Sequence, residues 1–169
     1  MSPTSSVRSA GILLYRRTAD DGLEVWIAHM GGPYWAGKDD RAWSIPKGLV
    51  DDGDDGDELR TARREFLEEI GVPAPDASYE KLGEFRQSSG KTVIAFAAET
   101  DFAADAIVSN TFSLEWPPRS GRMKEFPEID DARWFPLEIA RDKVVAGQVA
   151  MLDALAEDVR VGYSSGGDG

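Results

Sequence analysis

Glu65, Glu68 and Glu69 lie in the run Arg64 to Val72, REFLEEIGV, where their spacing suits one turn of helix. Successive helical residues advance by about 100°. The three carboxylates therefore fall within an arc of about 100°, and Leu59, Ala62, Phe66 and Ile70 gather on the adjoining arc. One side of such a helix enters a core while the next presents oxygen ligands. Hard cations such as Mg²⁺ use carboxylate oxygens and keep waters and substrate phosphates as their remaining ligands. Glutamate is also a good helix former, and like charges at i,i+4 cost only about 0.2–0.5 kcal/mol. The triplet alone therefore does not demand a cation; its surroundings decide. Arg64 supplies a planar fork of donors suited to holding carboxylates. Upstream, in Ser44-Ile45-Pro46-Lys47-Gly48, Pro46 fixes φ and Gly48 allows a close backbone approach.

From Gly48 to Val72 the chain resembles the signature of the Nudix hydrolase family. That signature reads Gly, five residues, Glu, seven residues, then Arg-Glu-aliphatic-any-Glu-Glu-any-Gly-aliphatic. The second half fits throughout, with Phe66 in the first apolar slot. The first half departs twice: Asp54 replaces the glutamate, with Asp55 an equal candidate, and nine residues rather than seven precede Arg64. The extra pair reads as an insertion in an acidic loop, where length is tolerated.

The resemblance implies an α/β protein, a three-layer α/β/α sandwich around a mixed β-sheet. It also implies that Glu65, Glu68, Glu69 and the Gly48 carbonyl bind Mg²⁺ (or Mn²⁺). Arg64 would hold the glutamates, and one of them would activate water. A further glutamate before a Trp-containing strand completes the metal site in many members; here Glu128 precedes Trp134, with Glu125 as its rival. The implied activity is hydrolysis of a pyrophosphate linkage in a nucleoside diphosphate joined to a group X. Dinucleoside polyphosphates are the first expectation and noncanonical or damaged nucleoside triphosphates the second. The alternative is a non-catalytic module that senses a nucleotide and regulates a partner, but such a module is expected to lose box carboxylates.

Candidate substrate contacts come from loops. Lys47 belongs to the family's usual lead-in, and Lys91 follows a glycine in a turn. Arg119 and Arg122, with Lys124, form a local basic cluster suited to charge-assisted phosphate bonds. Tyr34 and Trp35 offer faces for a nucleobase. His29, the only histidine, is read as structural.

The rest of the chain must position these groups. Its 169 residues, 41% hydrophobic, suit one domain with a full core. The absence of cysteine excludes disulfides, thiolate zinc sites and thiol nucleophiles. A net charge of −12 disfavours binding to nucleic-acid polymers, which rests on basic neutralisation of phosphates. It is compatible with a small nucleotide substrate if metal ions stand between the two sets of anions. The acidic loop Asp51–Asp57 fails the calcium-loop template, since Gly53 and Ala62 occupy ligand positions. No apolar run marks a signal peptide or membrane span, so a cytoplasmic location with no membrane partner is expected. A homodimer is compatible with the sequence. Residues 1–6 and 162–169 read as flexible ends around a domain at 7–161. Strands are expected over Val7–Arg17, Leu23–His29, Lys81–Arg86, Thr92–Glu99 and Asp130–Phe135. Helices are expected over Asp57–Ile70, Leu137–Val144 and Gln148–Val161, and Glu115–Phe126 reads as a long polar loop.

Overall fold

The computed structural model describes residues 7–165. Strands β1 (Arg8–Arg17) and β2 (Leu23–Met30) form an antiparallel hairpin, followed by short β3 (Trp43–Ser44) and β4 (Lys47–Leu49). Helix α1 (Glu58–Ile70) comes next, then the hairpin of β5 (Glu80–Arg86) and β6 (Thr92–Glu99). A second hairpin joins β7 (Thr111–Glu115) to β8 (Met123–Pro127). The chain ends with β9 (Ile129–Pro136), α2 (Leu137–Lys143) and α3 (Val149–Ser165).

The main sheet runs β3-β2-β1-β6-β5, with β4 also paired to β1 and β9 to β2. Strand β1 is parallel to β6 but antiparallel to β2 and β4, which makes the sheet mixed. Alternation along β1 divides the core. Ala10, Ile12 and Leu14 pack with Trp26, Phe66 and Ile70 beneath α1. On the other face, Leu13 packs with Val25, Ile27, Met151, Leu152 and Leu155 beneath α3. Fully burying each such side chain contributes about 1.5–3 kcal/mol, so both faces carry a substantial layer. The sequence-based reading of a three-layer α/β/α sandwich holds.

Two expectations change. The segment Glu115–Phe126 is not one long loop, because its ends belong to the β7–β8 hairpin. The run Thr111 to Glu115 alternates exposed and half-buried residues, a pattern hidden in the sequence by the prolines that follow. Helix α3 continues to Ser165, beyond the boundary expected at 161, while residues 1–6 and 166–169 lie outside the described part. Among the described residues, no helix is long and apolar enough to cross a membrane.

Candidate active site

Helix α1 starts at Asp57, whose side chain accepts from the Arg60 amide at 3.1 Å and satisfies an otherwise orphaned donor. It stops at Gly71, which turns left-handed at φ 94° and donates its N–H to the Leu67 carbonyl. Burial of Thr61, Ala62, Phe66 and Ile70 fixes the roll of the helix. That roll turns Arg64 and the three glutamates toward β4 and the base of the β7–β8 hairpin.

Gly48 is where strand and helix meet. A Cβ there would stand 2.0 Å from Cδ of Glu65, so only glycine lets this carboxyl rest against the strand. The adjacent Lys47 amide donates to Glu69 Oε2 at 3.1 Å. Arg64 holds the remainder: Nη1 donates to Oε1 of Glu65 at 3.0 Å and, more weakly, to Oε1 of Glu68 at 3.5 Å. Its other edge grips Asp54, with Nη2 2.9 Å from Oδ2 and Nε 3.3 Å from Oδ1. Asp54 is buried and also accepts the Thr61 hydroxyl at 2.6 Å. Asp55 is exposed with φ 52°, so of the two aspartates left open by the sequence it is Asp54 that faces Arg64. A 3-10 turn at Asp52–Asp54 and the left-handed pair Asp55-Gly56 take up the longer loop.

Charge crowding shows in the acidities. The guanidinium of Arg64, then the Thr61 hydroxyl, hold the Asp54 carboxyl well below the usual range. Asp54 in turn raises Arg64. Burial pushes Glu69 up to about 8, against the partial relief of the Lys47 amide and charge. Burial and the neighbouring charge of Glu68 raise Glu65. Desolvation, then Glu68, raise Glu128, and Glu128 adds to the upward shifts of both Glu65 and Glu69. Glu128 is therefore electrostatically part of the cluster. Its N–H donates to the Asn110 carbonyl at 2.9 Å, its carbonyl accepts from Gly31 at 2.8 Å, and Asn110 donates to the Glu68 carbonyl at 2.8 Å. These bonds tie the hairpin base to both α1 and β2. Glu125 lies exposed within β8.

Among the described residues, no three acidic or imidazole side chains already meet as a metal cage. The donor set nevertheless suits a hard divalent ion. Four carboxyls act on one another electrostatically, three of them with pKa values raised, first by burial and then by their like-charged neighbours. Gly48 leaves beside them the room that a side chain would fill.

The expected substrate contacts divide into three places. Lys47 and Lys91 line one cleft of about 280 Å³, together with Ser44, Ser88, Ser89 and Val145. Arg119, Arg122 and Lys124 are exposed on the β7–β8 hairpin and its turn. Tyr34 and Trp35 do not share a face. Trp35 packs against the α3-side core with Lys38 above its ring, whereas Tyr34 is exposed and meets Trp116. His29 bridges the Asp130 carboxyl and the Lys38 carbonyl, each at 2.6 Å, consistent with a structural role.

One residue passed over in the sequence supports the site from beneath. Gln148 is fully buried in the turn before α3. Its Oε1 accepts from the Ile45 amide at 3.0 Å and its Nε2 donates to Ser44 Oγ at 2.8 Å. It thereby anchors the corner that leads to Lys47 and Gly48. A lone glutamine at the head of an apolar helix carries no signal of this in sequence.

Several solved structures share the fold. The NUDIX domain of Shewanella oneidensis NrtR, solved with ADP-ribose, aligns over 94% of this chain and 91% of its own, with 17% identity and a TM-score of 0.64. A Caenorhabditis elegans Ap4A hydrolase aligns over 90% and 98%, with 20% identity and a TM-score of 0.63. The Nudix hydrolase RenU of Mycobacterium smegmatis aligns over 90% and 85%, at 19% identity and a TM-score of 0.54. Among curated proteins, none matches the chain. The family model for the NUDIX domain matches residues 6–155, which take in the carboxylate helix, the Gly48 corner and the hairpin, and the chain belongs to the NUDIX domain family.

Proposed function

We propose that this Nudix-type hydrolase cleaves a pyrophosphate linkage in a nucleotide, with water as the attacking group. The observation that carries the reading is the cluster of Glu65, Glu68, Glu69 and Glu128 around Gly48, ordered by Arg64. Those carboxylates and the Gly48 carbonyl would hold Mg²⁺ or Mn²⁺. Such an ion, when bound, neutralises phosphate charge and makes a bound water more acidic.

The chain's own groups do the rest. Arg64 keeps Glu65 and Glu68 oriented while Asp54 fixes its far edge, leaving the carboxylates facing the substrate. Either Glu69, seated on the Lys47 amide, or Glu65 takes the proton from the attacking water. Lys47, in β4 beside Gly48, and Lys91, which lines the same cleft, offer positive charge to phosphates that extend beyond the cluster. Dinucleoside polyphosphates are the preferred substrates and noncanonical or damaged nucleoside triphosphates the second choice. The fold likeness to the Ap4A hydrolase supports that order without deciding it.

Likeness to the NUDIX domain of NrtR, solved with ADP-ribose, supports a second reading as a nucleotide-sensing module; the longer NrtR protein, of which this chain spans about three fifths, is also solved with a 27mer DNA. Turnover of a nucleotide panel with and without Mg²⁺, with products identified by mass, separates the two. Metal-dependent cleavage that disappears in folded Glu68→Gln and Glu69→Gln proteins supports the hydrolase. Nucleotide-induced stabilisation without any cleavage supports the sensor.

A further inference from the structure

The β7–β8 hairpin sorts its residues by face. Directly opposed residues in an antiparallel pair share a face, and alternate residues along a strand return to it. Phe112 opposes Phe126 and Leu114 opposes Lys124. One step further, the Trp116 amide bonds to the Arg122 carbonyl at 2.9 Å and continues the ladder. Phe112, Leu114, Trp116, Arg122, Lys124 and Phe126 therefore stand on one face. The strand carboxylates, Glu115 and Glu125, fall on the other with Met123.

The aromatic and basic face is the one turned to the loop after β2. The Phe112 ring lies against Gly32, and the Trp116 ring meets Tyr34 edge-on, centroids 5.4 Å apart at 82°. Tyr34 is nevertheless 56% exposed. Neither Arg122 nor Lys124 has an ion-pair partner among the described residues, in a chain of net charge −12. An exposed ring backed by a second ring, beside two unpaired cations, suits a flat base joined to phosphate.

Resting on the hydrolase reading above, we infer that Tyr34, Trp116, Arg122 and Lys124 form a platform for a second nucleotide moiety of the substrate. The hairpin sets its distance from the carboxylates. Glu128 follows β8 directly, and at about 3.3 Å per residue Lys124 stands roughly 13 Å and Arg122 roughly 20 Å further along the strand. A ligand that seats one nucleotide moiety on the platform and carries another beyond the carboxylates needs nucleosides at both ends of its phosphate chain, as a dinucleoside polyphosphate has and a nucleoside triphosphate has not. Trp116 thus takes the place that the sequence reading gave to Trp35, and Arg122 and Lys124 keep the phosphate-binding part it gave to their cluster.

The test separates this platform from the catalytic reading by measuring metal-free binding. ADP and inorganic tripolyphosphate are titrated calorimetrically into the wild-type protein, Tyr34→Ala and the double variant Arg122→Met/Lys124→Met. All three altered side chains are solvent-exposed, so the fold tolerates their loss. Tyr34→Ala is expected to weaken ADP binding about tenfold and to leave tripolyphosphate unchanged, because only ADP has a base to stack. The double variant is expected to weaken both by about tenfold or more. In turnover, Tyr34→Ala raises KM for a dinucleoside tetraphosphate at constant kcat. ADP binding that is absent in the wild type, or equal in all three proteins, overturns the platform. Failure of the hydrolase reading shows separately, as absence of Mg²⁺-dependent cleavage.

Discussion

Replacing Gln148 with leucine keeps the side chain's bulk and removes its polarity, which makes the role of the buried corner measurable. The Ile45 amide, 3.0 Å from Oε1, would lose its partner in a fully buried setting. An orphaned buried donor costs about 1–3 kcal/mol. Ser44 Oγ keeps its own donation to the Ile45 carbonyl at 2.8 Å and loses only the bond from Nε2. That loss is worth about 0.5–1.5 kcal/mol. A modest gain from the apolar side chain leaves a net destabilisation of about 1–4 kcal/mol, or roughly 2–16 °C in Tm for a chain of this size. Denaturant unfolding at constant m-value is the first assay. The second is metal affinity, since Lys47 and Gly48 follow the corner directly and their displacement loosens Glu69 and Glu65. A Gln148→Leu protein with Tm within 2 °C of wild type and unchanged metal affinity would refute the anchoring role.

Three further outcomes are expected. Gly48→Ala forces the Glu65 carboxyl from its seat, where the added Cβ would lie 2.0 Å from Cδ; overpacking costs about 1–3 kcal/mol, and Mn²⁺ titration should show weaker binding, whereas unchanged affinity would show that Glu65 is not a ligand. Asp54→Asn removes the anion that fixes the outer edge of Arg64; supporting residues of this kind commonly change metal affinity or activity about 10–100-fold, and steady-state kinetics beside Asp54→Glu would show whether restored charge rescues the loss. The third concerns pH. Because Glu69 is raised from 4.5 to about 8, the metal-free folded state holds its proton more tightly than the unfolded chain does. Its contribution to stability is complete below about 4.5 and is lost as pH rises through about 8. Mg²⁺ needs the ionised carboxyl, so the Mg²⁺-induced rise in Tm should grow from pH 6 to pH 8.5; a rise that is flat with pH, or identical in Glu69→Gln, contradicts the assignment.

The carboxylate helix was legible because its chemistry is local. Spacing over a few residues fixed the face shared by Glu65, Glu68 and Glu69, and Asp57 and Gly71 marked its ends. The layers were legible from the family resemblance and from the order of elements, and the continuous apolar run of β1 marked a strand covered on both faces. What failed was non-local. The partnership of Trp116 with Tyr34 depends on a hairpin whose strands are weakly apolar and separated by a proline-rich turn. Asp54 and Asp55 differ only in which one the turn buries. Gln148 acts across more than a hundred residues of sequence on Ser44 and Ile45. Neither propensity nor periodicity encodes such pairings.

The parallel match of β1 with β6 also bears on how the chain is made. Arg8 pairs with Thr92, so β1 waits through the synthesis of α1 and β5 before its parallel neighbour exists. Until then Ile12, Leu13 and Leu14 have only the β2 hairpin and the incoming helix to shelter them. Distant pairings of this kind slow folding and prolong the exposure of sticky edges to aggregation. The Gly48 corner leans on the same strand through its Ala10 partner, so it takes its final shape only after the sheet's centre has closed.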